Sequence, residues 1–268
     1  CGYIKCCEQI MRISFIGAGR VAHHLVHALK QHHQIIQIYS QGFVHAQKLA
    51  TEVKAEAVHT FAELSAEIDV LIIAVSDSAI SDVIQHVHTY LPNTLIVHTS
   101  GSTDIEKLTK VHARAGVFYP LQTFSLEREI DWYSTPLFIE ATHLTDLNTL
   151  LKLANELSQR VYQYNSAQRL SLHLAAVFAC NFSNYCYDMA KQIVDAKQVD
   201  FSLLYPLIIE TAQKALQAEP RNMQTGPAMR GDENIIAMHE QMLKQDQRPD
   251  LQVVYHLLSE QILKRHQS

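Results

Sequence analysis

The stretch Met11-Arg-Ile-Ser-Phe-Ile-Gly17-Ala-Gly19-Arg-Val-Ala22 decides how this chain is read. Apolar residues up to Ile16 form a short strand that runs straight into G-x-G-x-x-A. Val21, Ala22, Leu25, Val26 and Leu29 then recur at helical spacing. Strand, glycine turn and helix in that order make a dinucleotide site. Gly17 permits the tight turn, Gly19 lets the backbone approach a pyrophosphate, and Ala22 lets helix and strand pack closely. Free N–H groups and the dipole at the helix N-terminus favour the phosphates. Gly17, Ala18, Gly19, Arg20 and Val21 are therefore expected at the cofactor; the alternative is a tight turn in an α/β protein that binds nothing.

The end of the second strand, Ile35-Ile-Gln-Ile-Tyr39, bears on which dinucleotide is bound. An acid about 20 residues past the glycines would hold the ribose 2′-OH of NAD. Here the chain reads Tyr39-Ser40-Gln41, with no acid. A Ser40 hydroxyl beside Gln41 can donate to a 2′-phosphate, with Arg20 or Lys48 as cations, so the expected cofactor is NADP, with NAD as the alternative. Ser40 could instead simply cap the following helix.

With 268 residues, 47% of them hydrophobic, the chain can bury a large core in one or two domains. A net charge of −5 and the lack of any Lys/Arg run argue against nucleic acid as a partner. The longest apolar runs, such as Val70–Val75, are strand-sized, which argues against a membrane span. The five cysteines form no metal or disulfide framework: Cys1, Cys6 and Cys7 lie in the leader, and Cys180 and Cys186 fall on different faces of one helix. A reducing cytoplasm is the expected location. Residues 1–10 have neither the basic start nor the apolar core of a signal peptide and read as a disordered extension before Met11. A lipidated leading cysteine is the other reading.

Sixteen histidines raise the question of a metal, above all His23 and His27 at i, i+4 on the first helix. The spacing suits two zinc ligands, but the sequence offers no third. These residues read as a solvated polar face, and no metal is expected.

Strands and helices alternate onward: strand three over Ala55–Thr60, a buried strand four over Val70–Val75, strand five over Leu95–Thr99, and helices over 43–53 and 79–90. That alternation predicts a parallel sheet. Strand four ends in Ala74-Val75-Ser76-Asp77 and strand five in Thr99-Ser100-Gly101-Ser102, small polar residues at the carboxyl edge where such sheets bind ligands. Ala74, Val75, Ser76, Thr99, Ser100 and Gly101 are therefore candidate cofactor residues, while Asp77 and Ser102 could equally be helix caps. Further strands are expected at Gly116–Phe118, Pro136–Ala141 and Val161–Tyr164, with a helix from about Asp146 to Gln159. From Ala167 onward only helices are predicted, roughly 167–195, 201–218, 232–246 and 250–265. The first is apolar on most sides, as in a helix covered by others or by a second subunit. The domains predicted are 11–165, a Rossmann-type mostly parallel α/β sheet, and 166–268, all helical.

Three further stretches carry a family resemblance: Tyr119-Pro-Leu-Gln-Thr-Phe-Ser125, His173-Leu-Ala-Ala-Val-Phe-Ala-Cys-Asn181-Phe, and Thr225-Gly-Pro-Ala-Met-Arg-Gly-Asp232. From Met11 onward the chain resembles a bacterial family in which a Rossmann-like domain precedes the domain of unknown function DUF2520. Its amino half is similar to the dinucleotide domains of 6-phosphogluconate dehydrogenase-like, pyrroline-5-carboxylate reductase and F420-dependent NADP oxidoreductase proteins. The resemblance implies a 6-phosphogluconate dehydrogenase-like helical C-terminal domain and an oxidoreductase of undefined substrate. A histidine commonly precedes the proline of the first motif in that family; Tyr119 stands there in this chain. Related dehydrogenases use a lysine and an asparagine on the central helix, and this stretch has no lysine.

On the residues themselves, His173 and Asn181 lie two turns apart on the long helix and project within about 80° of each other. His173 is the candidate general acid and Asn181 an orienting group. Tyr119, Gln122 and Thr123 are candidate substrate contacts. Arg230, in a loop shaped by Gly226, Pro227 and Gly231, is the candidate clamp for an anionic group, with a salt bridge to Asp232 or to a neighbouring subunit as the alternative. Asp232 is placed to cap the next helix. The function expected is hydride transfer between NADPH and a small carbonyl or imine in an interdomain cleft of a homodimer. A pyrroline-5-carboxylate-type imine reductase is one alternative, and a non-catalytic dinucleotide-binding or sensing protein another.

Overall fold

A computed structural model describes residues 10–267, so the readings of residues 1–9, including Cys1, Cys6 and Cys7, lie outside the described residues. The chain divides into two compact units, the first ending at Val177 and the second starting at Phe178.

The first unit opens with β1 (Arg12–Ile16), α1 (Arg20–Leu29), β2 (Gln34–Tyr39), α2 (Phe43–Val53) and β3 (Glu56–Val58). It continues through β4 (Val70–Ile73), α3 (Asp77–Val87), β5 (Leu95–His98), a single turn α4 (Glu106–Thr109) and β6 (Ala115–Pro120). β7 (Leu137–Ala141), α5 (Leu144–Leu157), β8 (Val161–Gln163) and α6 (Ser166–Ala176) complete it. The eight strands make one sheet in the order β3-β2-β1-β4-β5-β6-β7-β8. All pairs are parallel except β6 with β7. Strand order reverses at β1, between β2 and β4, and this switch point is where an open α/β sheet leaves a crevice at its carboxyl edge.

The Rossmann-type expectation is borne out, for a simple physical reason. Every residue of β4 and β5 is buried, because a parallel strand covered on both faces must be apolar throughout. α1 buries Ala22, Leu25, Val26 and Leu29 on one stripe. Helix starts differ from the periodicity by about two residues: α3 begins at Asp77, and α5 at Leu144, because extended Ser76 and His143 set the entry angles and not the first apolar residue.

α6 starts at a capping box, in which Asn165 Oδ1 accepts from the Gln168 N–H at 2.9 Å and Gln168 Oε1 accepts from the Asn165 N–H at 3.1 Å. One residue beyond, the fully buried Arg169 donates to Glu140 Oε2 at 2.6 Å and to the Thr103 carbonyl at 2.5 Å. Ser166 Oγ donates to the same Glu140 oxygen at 2.9 Å. A charge taken out of water survives only when paired and hydrogen-bonded in this way, so the network pins the start of α6 against β7.

The second unit holds α7 (Ser183–Asp195), α8 (Tyr205–Gln217), α9 (Pro227–Arg230), α10 (Glu233–Gln245) and α11 (Pro249–Gln267). It contains no strand among the described residues, as expected of an all-helical region. The continuous helix predicted over 167–195 is interrupted by a π-helical segment, Val177–Phe182. Leu170 and Leu174 on α6 and Phe178 and Phe182 on the π segment are exposed. No helix among the described residues is long and apolar enough to cross a membrane.

Candidate active site

Gly17 closes the β1–α1 turn at φ +113°, and its N–H donates to the Tyr39 carbonyl at 2.8 Å. A Cβ there would lie 2.1 Å from the Ala74 carbonyl oxygen, so only glycine lets the turn lie against the end of β4. Gly19 differs. It is the N-cap of α1 in extended conformation, with no side-chain cap, and a Cβ on it would meet nothing within 4 Å. Unsatisfied N–H groups of the first helical turn therefore face open space, the cradle an anion requires.

That space is part of a cleft of about 1030 Å³, bounded by Gly17–Val21, Ser40, Gln41, Ala74–Asp77, Thr99–Gly101, Tyr119, Gln122 and His173. Ordinary ligand pockets run to about 1000 Å³, so this one has the volume for a large ligand. All thirteen residues singled out as cofactor contacts lie on it. Of the substrate candidates, Tyr119 and Gln122 line it and Thr123 does not; nor does Lys48, the alternative to Arg20 as a cation for the 2′-phosphate. Ser40 does not cap α2, whose N-cap is Gly42.

Asp77 and Ser102 are not simple caps either. Asp77 is the first residue of α3 and accepts a hydrogen bond from Ser102 Oγ. Ser100 Oγ accepts from the Ser102 and Thr103 N–H groups at 3.1 and 2.9 Å, which folds the turn after β5. Behind that turn, His98 Nδ1 accepts from the Ser100 N–H at 3.1 Å. Burial, reinforced by the nearby Arg169 charge, pushes the His98 ring down to about 3. An unfolded chain would protonate it near 6.5. Folding is thus fully supported above that value and loses support as pH falls from there toward 3. Between pH 7 and pH 5 the loss from this one group is expected to be about 2 kcal/mol. Urea unfolding of the wild type and His98→Asn at both pH values should show the variant's slope flatter by that amount; parallel slopes would rule it out.

At one wall of the cleft, Tyr119 Oη lies 3.3 Å from His173 Nδ1. Burial, and secondarily the Asp77 carboxylate, push the phenol up to about 12, so it keeps its proton at neutral pH. Gly101 makes this pair fit: a Cβ there would stand 2.6 Å from Tyr119 Cζ and 2.7 Å from His173 Nδ1. His173 lies four residues after Arg169, so the buried Glu140–Arg169 network fixes the turn that carries it. Arg169 and Glu140 escaped sequence reading, since an arginine on an amphipathic helix looks like surface; the Asn165-x-x-Gln168 box was the legible signal. Phe61 and Tyr39, with ring centroids 4.4 Å apart, also line the cleft.

Asn181 and Arg230 belong to the second unit. Asn181 is exposed on the π-helical segment, so the regular helical geometry behind the expected 80° does not hold. Arg230 is exposed at the end of α9 and makes no ion pair among the described residues, with Asp232 or any other acid. Asp232 instead caps α10, accepting from the Ile235 N–H at 3.4 Å.

Two family profiles match the chain: NADP oxidoreductase, coenzyme F420-dependent, over residues 12–101, and the domain of unknown function DUF2520 over residues 135–262. A Bacteroides fragilis crystal structure, provisionally assigned as an NADP oxidoreductase, is 40% identical, with 96% of this chain and 99% of that one covered at a TM-score of 0.89. An imine reductase from Myxococcus stipitatus in complex with NADP+ shares the fold at 13% identity and TM-score 0.71, covering 96% of this chain and all 100% of that one. A pyrroline-5-carboxylate reductase from Coxiella burnetii does so at 15% identity and TM-score 0.58, over 97% and 98% of the two chains. No curated protein shows significant similarity. The glycine turn between β1 and α1, the sheet behind it and the full-length likeness at 40% identity agree: the chain belongs to the NADP-oxidoreductase family that joins a Rossmann domain to DUF2520.

Proposed function

We propose that this protein is an NADPH-dependent reductase of small carbonyl or imine compounds, and that Tyr119 and His173 supply the proton. One observation carries the reading. The Tyr119–His173 pair stands on the same cleft as the glycine turn, 3.3 Å apart and against Gly101. Bound nicotinamide supplies the hydride. The chain's own residues do the rest. Gly19 and the α1 N-terminus receive the phosphates; Ser40, Gln41 and Arg20 meet the ribose end, where no acid follows β2 to repel a 2′-phosphate. The Tyr119 hydroxyl and His173 Nδ1 share a hydrogen bond, which leaves Nε2 for the substrate. The protonated ring gives its Nε2 proton to the oxygen or nitrogen that receives hydride, is left as neutral imidazole and is recharged from solvent, while Gln122 orients the substrate.

Binding of NADP+ by the imine reductase of the same fold is consistent with the choice of NADP. Titration followed by nicotinamide fluorescence is the test. NADPH is expected to bind at least about tenfold tighter than NADH, one tenfold step being about 1.4 kcal/mol. Equal affinities would remove the 2′-phosphate assignment, and no binding of either would end the oxidoreductase reading. The exposed Phe178, Phe182, Leu207, Ile209 and Leu216 of the helical unit support a homodimer formed through that unit. Light scattering at micromolar concentration should then give twice the chain mass, and a monomer mass would refute it.

A further inference from the structure

We propose that His23, His27 and Glu52 form a binding site for a zinc-class divalent cation, a clip joining α1 to α2. The sequence offers the two histidines and no third ligand; the fold supplies it. α1 and α2 lie side by side, and the last turn of α2 brings Glu52 to the His23/His27 face of α1. Glu52 Oε2 lies 3.1 Å from His27 Nε2 and 3.7 Å from His23 Nδ1, and the three ligand atoms all fall within 4.8 Å of one another. Zinc bonds nitrogen and oxygen at about 2.0–2.2 Å, which places neighbouring ligands of a tetrahedron about 3.3–3.5 Å apart. The two distances to Glu52 bracket that edge, so small rotations of the rings would complete one face of the tetrahedron.

A plain hydrogen-bonded His–Glu pair would need only one imidazole. Here two ring nitrogens converge on a single carboxylate oxygen, which His27 alone is close enough to hydrogen-bond. The Lys48 charge reaches His23 and opposes a cation there, while two other neighbouring side chains are held elsewhere. His24 is engaged elsewhere, with Nε2 2.8 Å from the Ser125 carbonyl, and Lys30 donates to the main-chain oxygen of Glu52 and not to its carboxylate. Two imidazoles with one carboxylate select zinc, cobalt or nickel over magnesium or calcium, which prefer all-oxygen sites. None of the three residues lines the cofactor cleft. The site therefore serves to fasten the helix whose N-terminus carries Gly19, and it does not depend on the reaction proposed above.

Titration of the full chain with Co2+ is the test, because its visible d–d absorption reports nitrogen and oxygen ligation and a thiolate charge-transfer band would reveal cysteine ligation instead. One equivalent should give the d–d spectrum without the thiolate band, and Zn2+ should displace it. His27→Ala and Glu52→Gln should each weaken binding at least about tenfold, whereas His32→Ala should not. A saturating excess of Zn2+ should raise the melting temperature by roughly 5 °C in the wild type and not in either variant. Circular dichroism and NADPH affinity establish that the variants remain folded. Absent binding, a thiolate spectrum, or binding unchanged in both variants would overturn the proposal.

Discussion

Gly19→Asp is expected to weaken NADPH binding by roughly a hundredfold or more and to leave folding intact. Nothing lies within 4 Å of a Cβ at this position, and its φ of −80° suits any residue. Aspartate is moreover a favoured N-cap, worth about 1 kcal/mol to a helix that now has no side-chain cap. The carboxylate would occupy the place meant for a phosphate. Two unit charges about 4 Å apart repel by about 4 kcal/mol at an effective dielectric of about 20. Screening and side-chain movement reduce that, which leaves two or more factors of ten in affinity. Gly17→Ala is the instructive contrast: at φ +113° and with its Cβ 2.1 Å from the Ala74 carbonyl, it should lower the melting temperature by several degrees before any ligand is added. A fluorescence titration paired with a thermal melt separates the two effects. Unchanged NADPH affinity in Gly19→Asp would mean that the cleft does not hold the pyrophosphate at the α1 N-terminus.

The second large effect concerns turnover. His173→Ala should lower the rate of NADPH oxidation by about 10²- to 10⁴-fold, the usual contribution of a positioned general acid, with NADPH affinity little changed. Tyr119→Phe should cost less, about tenfold, because it removes the hydroxyl near Nδ1 and leaves the imidazole in place. The order of these two losses distinguishes the pair's roles. A larger loss in Tyr119→Phe would make the phenol the donor, and full activity in His173→Ala would remove the ring from the mechanism. A panel of cyclic imines and small carbonyls serves as substrate. If the wild type binds NADPH and turns over none of them, the dinucleotide-binding or sensing reading gains the stronger claim.

How far these sites were legible depends on whether the signal is local. The glycine turn, β1 and α1 are decided by neighbours in sequence, since a tight turn and a helix N-terminus follow from backbone rules within a dozen residues. The same holds for the alternation that specifies a parallel sheet, and for the small polar residues that end β4 and β5. Helix boundaries were less legible, because Ser76 and His143 set entry angles that apolar periodicity does not encode.

By itself, then, the sequence determined the Rossmann sheet, the glycine turn at Gly17–Val21 that opens α1, and the absence of strands among the described residues after Ala167. Tertiary structure alone decided the pairing of Tyr119 with His173, residues 54 apart in sequence, and the burial of Arg169 against Glu140. It also decided the arrival of Glu52 beside His23 and His27, and the π segment that breaks the long helix. The physical reason is common to these side-chain meetings: each joins residues brought together by sheet closure or helix packing, and no spacing along the chain records a distance set by the folds between them.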